Sequence, residues 1–145
     1  MSPEGLIVIG ALGLRTIREN WVADSVGGLT LGADPISYAI SYASGLTSQP
    51  LRAFTVRKEA KAHGTGKLIE GPFQAGDRVA VIEDVITTGG SALKAITAVR
   101  AAGGVIAGVL ALVDREEGGR EAIQREGISV LSLVYARELM PLIVP

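Results

Sequence analysis

The sequence of 145 residues predicts an α/β domain built on a mostly parallel sheet. Three observations predict it. Strand-like apolar runs alternate with helix-like amphipathic stretches along the chain, the pattern of strand–helix–strand units. Two runs, Val79–Ile82 and Val105–Val113, are continuously apolar, as strands covered on both faces are. Apolar residues make up 48% of the chain against 20% charged, which excludes a disordered chain. Aromatics reach only 4%, so the core is aliphatic. The length fits a single domain over 1–145, and neither an internal repeat nor a Pro/Ser linker divides it.

In chain order, Pro3 and Glu4 open a helix on which Leu6, Ile9, Leu12 or Gly13, and Ile17 recur at helical spacing. A short strand over Ser25–Gly28 runs into the turn Gly27-Gly28-Leu29-Thr30-Leu31-Gly32. Pro35 suits the first turn of a second helix reaching Ser44, where a missing N–H costs nothing. Leu51–Val56 reads as a strand. Residues 57–66 hold almost no apolar side chain and form a charged loop, followed by a weak strand at Lys67–Glu70 and turns at Gly71-Pro72 and Gly76-Asp77. Arg78–Glu83 is a buried strand. A glycine-rich loop then enters a helix that ends at Ala102; Leu93, Ile96, Val99 and Arg100 lie at helical spacing, and Gly103-Gly104 stops it. Val105–Val113 is a long buried strand, Gly119–Glu126 a short polar helix and Ser129–Val134 a further strand. The 19 glycines, near twice the usual share of about 7%, mark tight turns or places where backbone approaches a ligand.

Composition narrows the function. Fourteen basic and fifteen acidic residues give a net charge of −1, with none of the basic excess that a general nucleic-acid binder needs. The absence of cysteine removes disulfides, thiolate catalysis and zinc–thiolate sites. The longest apolar run is far too short to cross a membrane, and the first residues, with Glu4 and no early lysine, are unlike a secretion signal. The expectation is a cytoplasmic protein with neither a nucleic-acid nor a membrane partner.

The chemistry concentrates in Val79-Ala80-Val81-Ile82-Glu83-Asp84-Val85-Ile86-Thr87-Thr88-Gly89-Gly90-Ser91. A buried strand delivers two adjacent carboxylates, then a hydroxyl- and glycine-rich loop opens directly into a helix. Glycines let backbone N–H groups converge on an anion, and the helix N-terminus adds positive partial charge. A phosphate therefore fits at residues 87–91. The carboxylates would repel it, but they suit sugar hydroxyls or a hydrated Mg²⁺. The combination asks for a ligand that is phosphate, ribose and metal together. The plainer alternative is that Ser91 caps a helix and the acidic pair is a solvated turn. A Walker loop is excluded, since the Gly-Lys-Ser/Thr ending is missing. Opposite charge comes from Arg57, Lys58, Lys61 and His63, with Gly64 and Gly66 allowing the loop to move. Such a loop suits closure over an anionic ligand.

The thirteen-residue string resembles the signature by which type I phosphoribosyltransferases bind 5-phosphoribosyl 1-diphosphate (PRPP). Arg57-Lys58-Glu59-Ala60-Lys61-Ala62-His63-Gly64 resembles the catalytic loop of the orotate-using members in particular. Gly27-Gly28-Leu29-Thr30-Leu31-Gly32-Ala33-Asp34-Pro35 resembles the family's pyrophosphate-binding loop, although Leu29, Thr30 and Leu31 stand where many relatives carry an aromatic–lysine pair. Leu112-Val113-Asp114-Arg115 resembles the strand end whose arginine pairs with the orotate carboxylate.

The resemblance covers about residues 3–133. It implies a three-layer phosphoribosyltransferase-like fold, with the 67–70 strand antiparallel in an otherwise parallel sheet and the ligand between the strands at 25–28 and 78–83. It implies transfer of the phosphoribosyl group from PRPP to orotate, giving orotidine 5′-monophosphate and pyrophosphate. Mg²⁺ is the implied cofactor, with no residue assigned as a dedicated metal ligand, and a homodimer sharing the loop is the implied assembly. The implied catalytic residues are Asp84, Lys61 and His63. PRPP falls to Arg57, Lys58, Lys61, His63, Glu83, Asp84, Val85, Ile86, Thr87, Thr88, Gly89, Gly90 and Ser91, together with Thr30 and Leu31; orotate falls to Thr87 and Arg115. Family members carry a further segment ahead of the helix at Pro3 that forms a hood over the base. The expectation is therefore an intact PRPP half, an incomplete orotate half and impaired transfer. A catalytically silent PRPP-binding sensor is the alternative.

Overall fold

The computed structural model describes residues 1–63 and 66–143. Helix α1 (Pro3–Asn20) starts where Ser2 caps it, its Oγ accepting from the Gly5 N–H at 3.0 Å, and Glu4 and Arg18 complement the helix dipole at its two ends. The chain continues through β1 (Ser25–Leu29), α2 (Asp34–Gly45), β2 (Arg52–Val56), β3 (Ile69–Glu70), β4 (Arg78–Ile86), α3 (Gly90–Ala101), β5 (Val105–Asp114), α4 (Gly119–Gln124), β6 (Val130–Tyr135) and α5 (Ala136–Ile143).

The six strands form one sheet in the order β3-β2-β1-β4-β5-β6. Every pairing is parallel except β2 with β3, which is antiparallel through Thr55–Glu70 and Val56–Ile69. The expected α/β architecture and its single antiparallel strand are therefore present. Helices α1 and α2 cover one face, where Leu14, Ile17, Ile36 and Ile40 meet Val26, Ala80, Ile82 and Leu110. Helices α3 and α4 cover the other, where Ala92, Ala95, Ile96, Val99 and Ile123 meet Val79, Val81, Val109 and Ala111. From Val79 to Ile82, β4 thus alternates between the two cores residue by residue, which is why this apolar run is unbroken. Fully burying each Val or Ile contributes about 1.5–3 kcal/mol, so β4 is an anchor for both layers.

Three features refine or extend the sequence reading. Gly13, rather than Leu12, faces the core: it is buried where Ile40 packs, whereas Leu12 is exposed. Strand β4 runs three residues beyond Glu83, because β5 extends alongside it and pairs Val85 with Val113 and Ile86 with Asp114. The terminal helix α5 carries Pro141 inside it, a residue that argues against a helix from sequence alone. No helix of the described residues is long and apolar enough to cross a membrane.

Candidate active site

The site begins where two parallel strands part. β1 pairs with β4 only through Ser25–Val79, Val26–Ala80 and Gly27–Val81. Beyond that point β1 turns toward α2 while β4 continues to Ile86, paired with β5 alone. The chain leaves β1 toward β2 on one side and leaves β4 toward β5 on the other, so a crevice opens at a topological switch point. Gly28 is needed at its floor, since a Cβ there would collide with the carbonyl oxygen of Ile82.

The two carboxylates stand in β4 itself rather than in the turn beyond it, and they serve different sides of the crevice. Glu83 is buried and lines a cavity of about 240 Å³ with Val85, Ile86, Thr87–Ser91 and Lys94. Asp84 instead abuts the β1–α2 loop: a Cβ on Gly32 would lie 2.5 Å from its Oδ2. Burial first, and then the neighbouring Asp84 carboxylate, push Glu83 up to about 8 from 4.5, and no cationic side chain offsets either effect.

Residues 87–91 form a cradle at the start of α3. The residue before the helix is Gly89, in the left-handed conformation at φ 91°, and no side chain caps the helix. Ser91 is therefore not a cap, which removes the plainer reading of this loop. The first N–H groups of α3 keep no side-chain acceptor at the cap, as an anion site requires. The cradle is braced from a distance in sequence. The Gly119 N–H donates to the Thr87 carbonyl at 3.0 Å, and a Cβ on Gly119 would lie 2.5 Å from that oxygen and 2.7 Å from the Gly89 nitrogen. Lys94, one turn into α3, adds a cation to the cavity wall.

The charged segment after β2 is brought only partly to this place. Arg57 and Lys58 line a groove of about 460 Å³ with Gly90, Leu93 and Lys94, facing the first turns of α3. Lys61 is directed instead to Glu70 at 2.8 Å, where Arg57 also pairs at 2.9 Å. These two cations hold the Glu70 carboxyl below its ordinary value. His63 is exposed and lines neither the cavity nor the groove. Gly64, one of the two glycines assigned to loop motion, lies outside the described residues; Gly66 adopts φ 67°. Thr30 and Leu31 stand in the β1–α2 loop, joined by a cis peptide, with Leu31 exposed. Arg115 follows β5 directly, its N–H donating to the Ile86 carbonyl at 3.0 Å while its side chain pairs with Glu117 at 2.9 Å. Lys94 and Gly119 escaped the sequence reading. Lys94 carried no signal beyond its place three residues after Ser91, whereas Gly118-Gly119 was a visible glycine pair without a visible partner.

An open parallel sheet with one antiparallel edge strand, an anion cradle and an acidic pair at the switch point defines a phosphoribosyltransferase-type protein. No protein-family model matches the chain. Individual relatives do. Orotate phosphoribosyltransferase of Aquifex aeolicus is 53% identical over 139 residues, covering 96% of this chain and 75% of that protein. The Mycobacterium avium enzyme of the same name is 49% identical over 132 residues, covering 91% and 72%. The crystal structure of Mycobacterium tuberculosis orotate phosphoribosyltransferase in complex with PRPP superposes with a TM-score of 0.81 at 44% identity, covering 92% of this chain and 75% of that one. The chain belongs to the orotate phosphoribosyltransferase family. It spans about three quarters of the length of the curated relatives it matches.

Proposed function

We propose that this protein transfers the phosphoribosyl group of PRPP to orotate. The orotate ring nitrogen gives up its proton to a base and attacks the anomeric carbon of the ribose, the bond from that carbon to pyrophosphate breaks, and pyrophosphate leaves with the electron pair. No protein nucleophile is required, so the work of the chain is to hold both partners and to stabilise the charge that separates. The observation that carries the reading is the uncapped N-terminus of α3 beside the buried Glu83, at the crevice where β1 and β4 part.

In this reading residues 87–91 take the 5′-phosphate, and the side chains of Glu83 and Asp84 take the ribose hydroxyls, with Asp84 as the base. The β1–α2 loop with Thr30 and Leu31, and the cations Arg57, Lys58, Lys61 and His63, serve the pyrophosphate. Thr87 and Arg115 serve orotate. For Lys61 and Arg57 this requires exchanging the Glu70 carboxylate for a ligand anion, and for Arg115 the exchange is with Glu117.

Mg²⁺ fits the donor set. Glu83 and Asp84 offer the hard carboxylate oxygens that the ion takes, and the raised Glu83 carboxyl is one that a cation would compensate. Among the described residues no group of three or more His, Asp or Glu could hold a metal, so the ion would share its oxygens between these carboxylates and the ligand. It would neutralise the pyrophosphate. A cytoplasmic location and a homodimer complete the reading, and resemblance to the family supports both. Titration of PRPP by calorimetry, with Mg²⁺ and then with chelator, is the direct test. Strong heat only with Mg²⁺, followed by loss of orotate absorbance on mixing, supports the assignment. Equal heats in both, or none, refute it.

A further inference from the structure

One carboxylate ties together two segments that the proposed function places on the pyrophosphate. Thr30 Oγ1 donates to Asp34 Oδ2 at 2.6 Å, and Thr55 Oγ1 donates to Asp34 Oδ1 at 3.0 Å. Thr55 has then spent its own proton, so the Tyr38 hydroxyl, 2.6 Å away, is the donor between those two. A directed chain results, from Tyr38 through Thr55 to Asp34, met from the other side by Thr30. Thr30 lies in the β1–α2 loop, and Thr55 stands two residues before Arg57. Main-chain bonds run alongside, from the Thr30 N–H to the Val56 carbonyl at 2.8 Å and from the Asp34 N–H to the Leu31 carbonyl at 3.0 Å.

The charge of Asp34 is wrong for a group that touches pyrophosphate, since like charges a few ångströms apart repel strongly away from bulk water. What makes it tolerable is that both of its oxygens are occupied and that it lies in the first turn of α2, where the helix dipole favours an anion. Thr30, Asp34 and Thr55 are all half-buried, so the bonds are shielded from competing water. We infer that Asp34 is a positioning residue, which sets the Thr30 loop against the strand leading to Arg57 so that both flank a single pyrophosphate. This rests on the reading above, in which those two segments share that ligand.

The test uses two probes on the wild-type chain and its variants: inorganic pyrophosphate for this side of the site, and ribose 5-phosphate for the 87–91 cradle. Asp34→Ala should weaken pyrophosphate binding and raise the KM for PRPP by about tenfold, the scale of a lost hydrogen bond to a charged group. Ribose 5-phosphate affinity should stay within about twofold of wild type. Asp34→Asn should recover most of the loss, because its carbonyl still accepts from one threonine and its N–H₂ donates to the other hydroxyl. Thr55→Val, which suits a strand and leaves α2 untouched, should show the same selective loss at about threefold, and it carries the test if the alanine variant does not fold. Equal weakening of both probes in a folded variant, or no change in either, overturns the positioning role while leaving the proposed function standing. If the wild type binds neither probe, the phosphoribosyl reading falls and takes this inference with it.

Discussion

Replacing Glu83 by Gln should stabilise the protein, and by an amount that depends on pH in one direction only. In the folded chain burial and the adjacent Asp84 raise this carboxyl from 4.5 to about 8. Between those two values the folded state keeps the proton and the unfolded state does not, so wild-type stability is lost as pH rises through the interval. Below pH 4 both states are protonated and the group contributes nothing. One pKa unit corresponds to about 1.4 kcal/mol, which sets a ceiling near 5 kcal/mol above pH 8. Water reaching the cavity mouth screens the group, and about 2–3 kcal/mol is the expected cost. Glutamine keeps the shape and cannot ionise. Urea unfolding of both proteins at a series of pH values from 4 to 9 should give coincident stabilities at the acid end. A gap in favour of Glu83→Gln should then open between pH 5 and 8. A difference that stays flat across that range would refute the argument, and so would a gap that closes as pH rises.

Gly119→Ala should cost about 1–3 kcal/mol and weaken ribose 5-phosphate by tenfold or more, because the new methyl must displace the backbone of Thr87 and Gly89; denaturation and ligand titration read the two effects. Lys94→Ala should lower PRPP affinity by about fivefold and flatten its dependence on salt, measured by titration at two ionic strengths. Asp24 accepts from the backbone and guanidinium of Arg78, whose side-chain hydrogen bond does most to lower the Asp24 carboxyl from 3.8 to about 2. Its contribution is fully present above pH 4 and lost as pH falls through 2. Asp24→Asn should therefore be less stable by about 1 kcal/mol at pH 7, with the gap shrinking in acid unfolding curves.

The parts of this molecule that were legible in the sequence are those whose signal is local. Val79–Ile82 and Val105–Val113 announce buried strands by composition alone, and Thr87–Ser91 announces an anion cradle because loop, glycines and helix start are contiguous. The length of β4 was not legible, since Val85 and Ile86 are held in the strand by β5, far along the chain. Gly119 braces Thr87 from across the structure, and Asp34 reaches Thr55 across a strand–helix crossover. No window of sequence contains either pair. The charge run from Arg57 to His63 was visible as chemistry but not as placement: two of its cations close on Glu70, and only Arg57 and Lys58 line the groove beside α3.

The alternation of β4 between the two cores has a consequence for how this site tolerates change. Val79 and Val81 feed one layer and Ala80 and Ile82 the other; a few residues on, Glu83 lines the cradle cavity and Asp84 meets Gly32. Parity along a single strand therefore decides which carboxylate serves which ligand group. Inserting or deleting one residue at the start of the strand, before Val79, would exchange the two layers of the core and the two acids in the same stroke. Libraries built on this chain should hold the register of β4 constant.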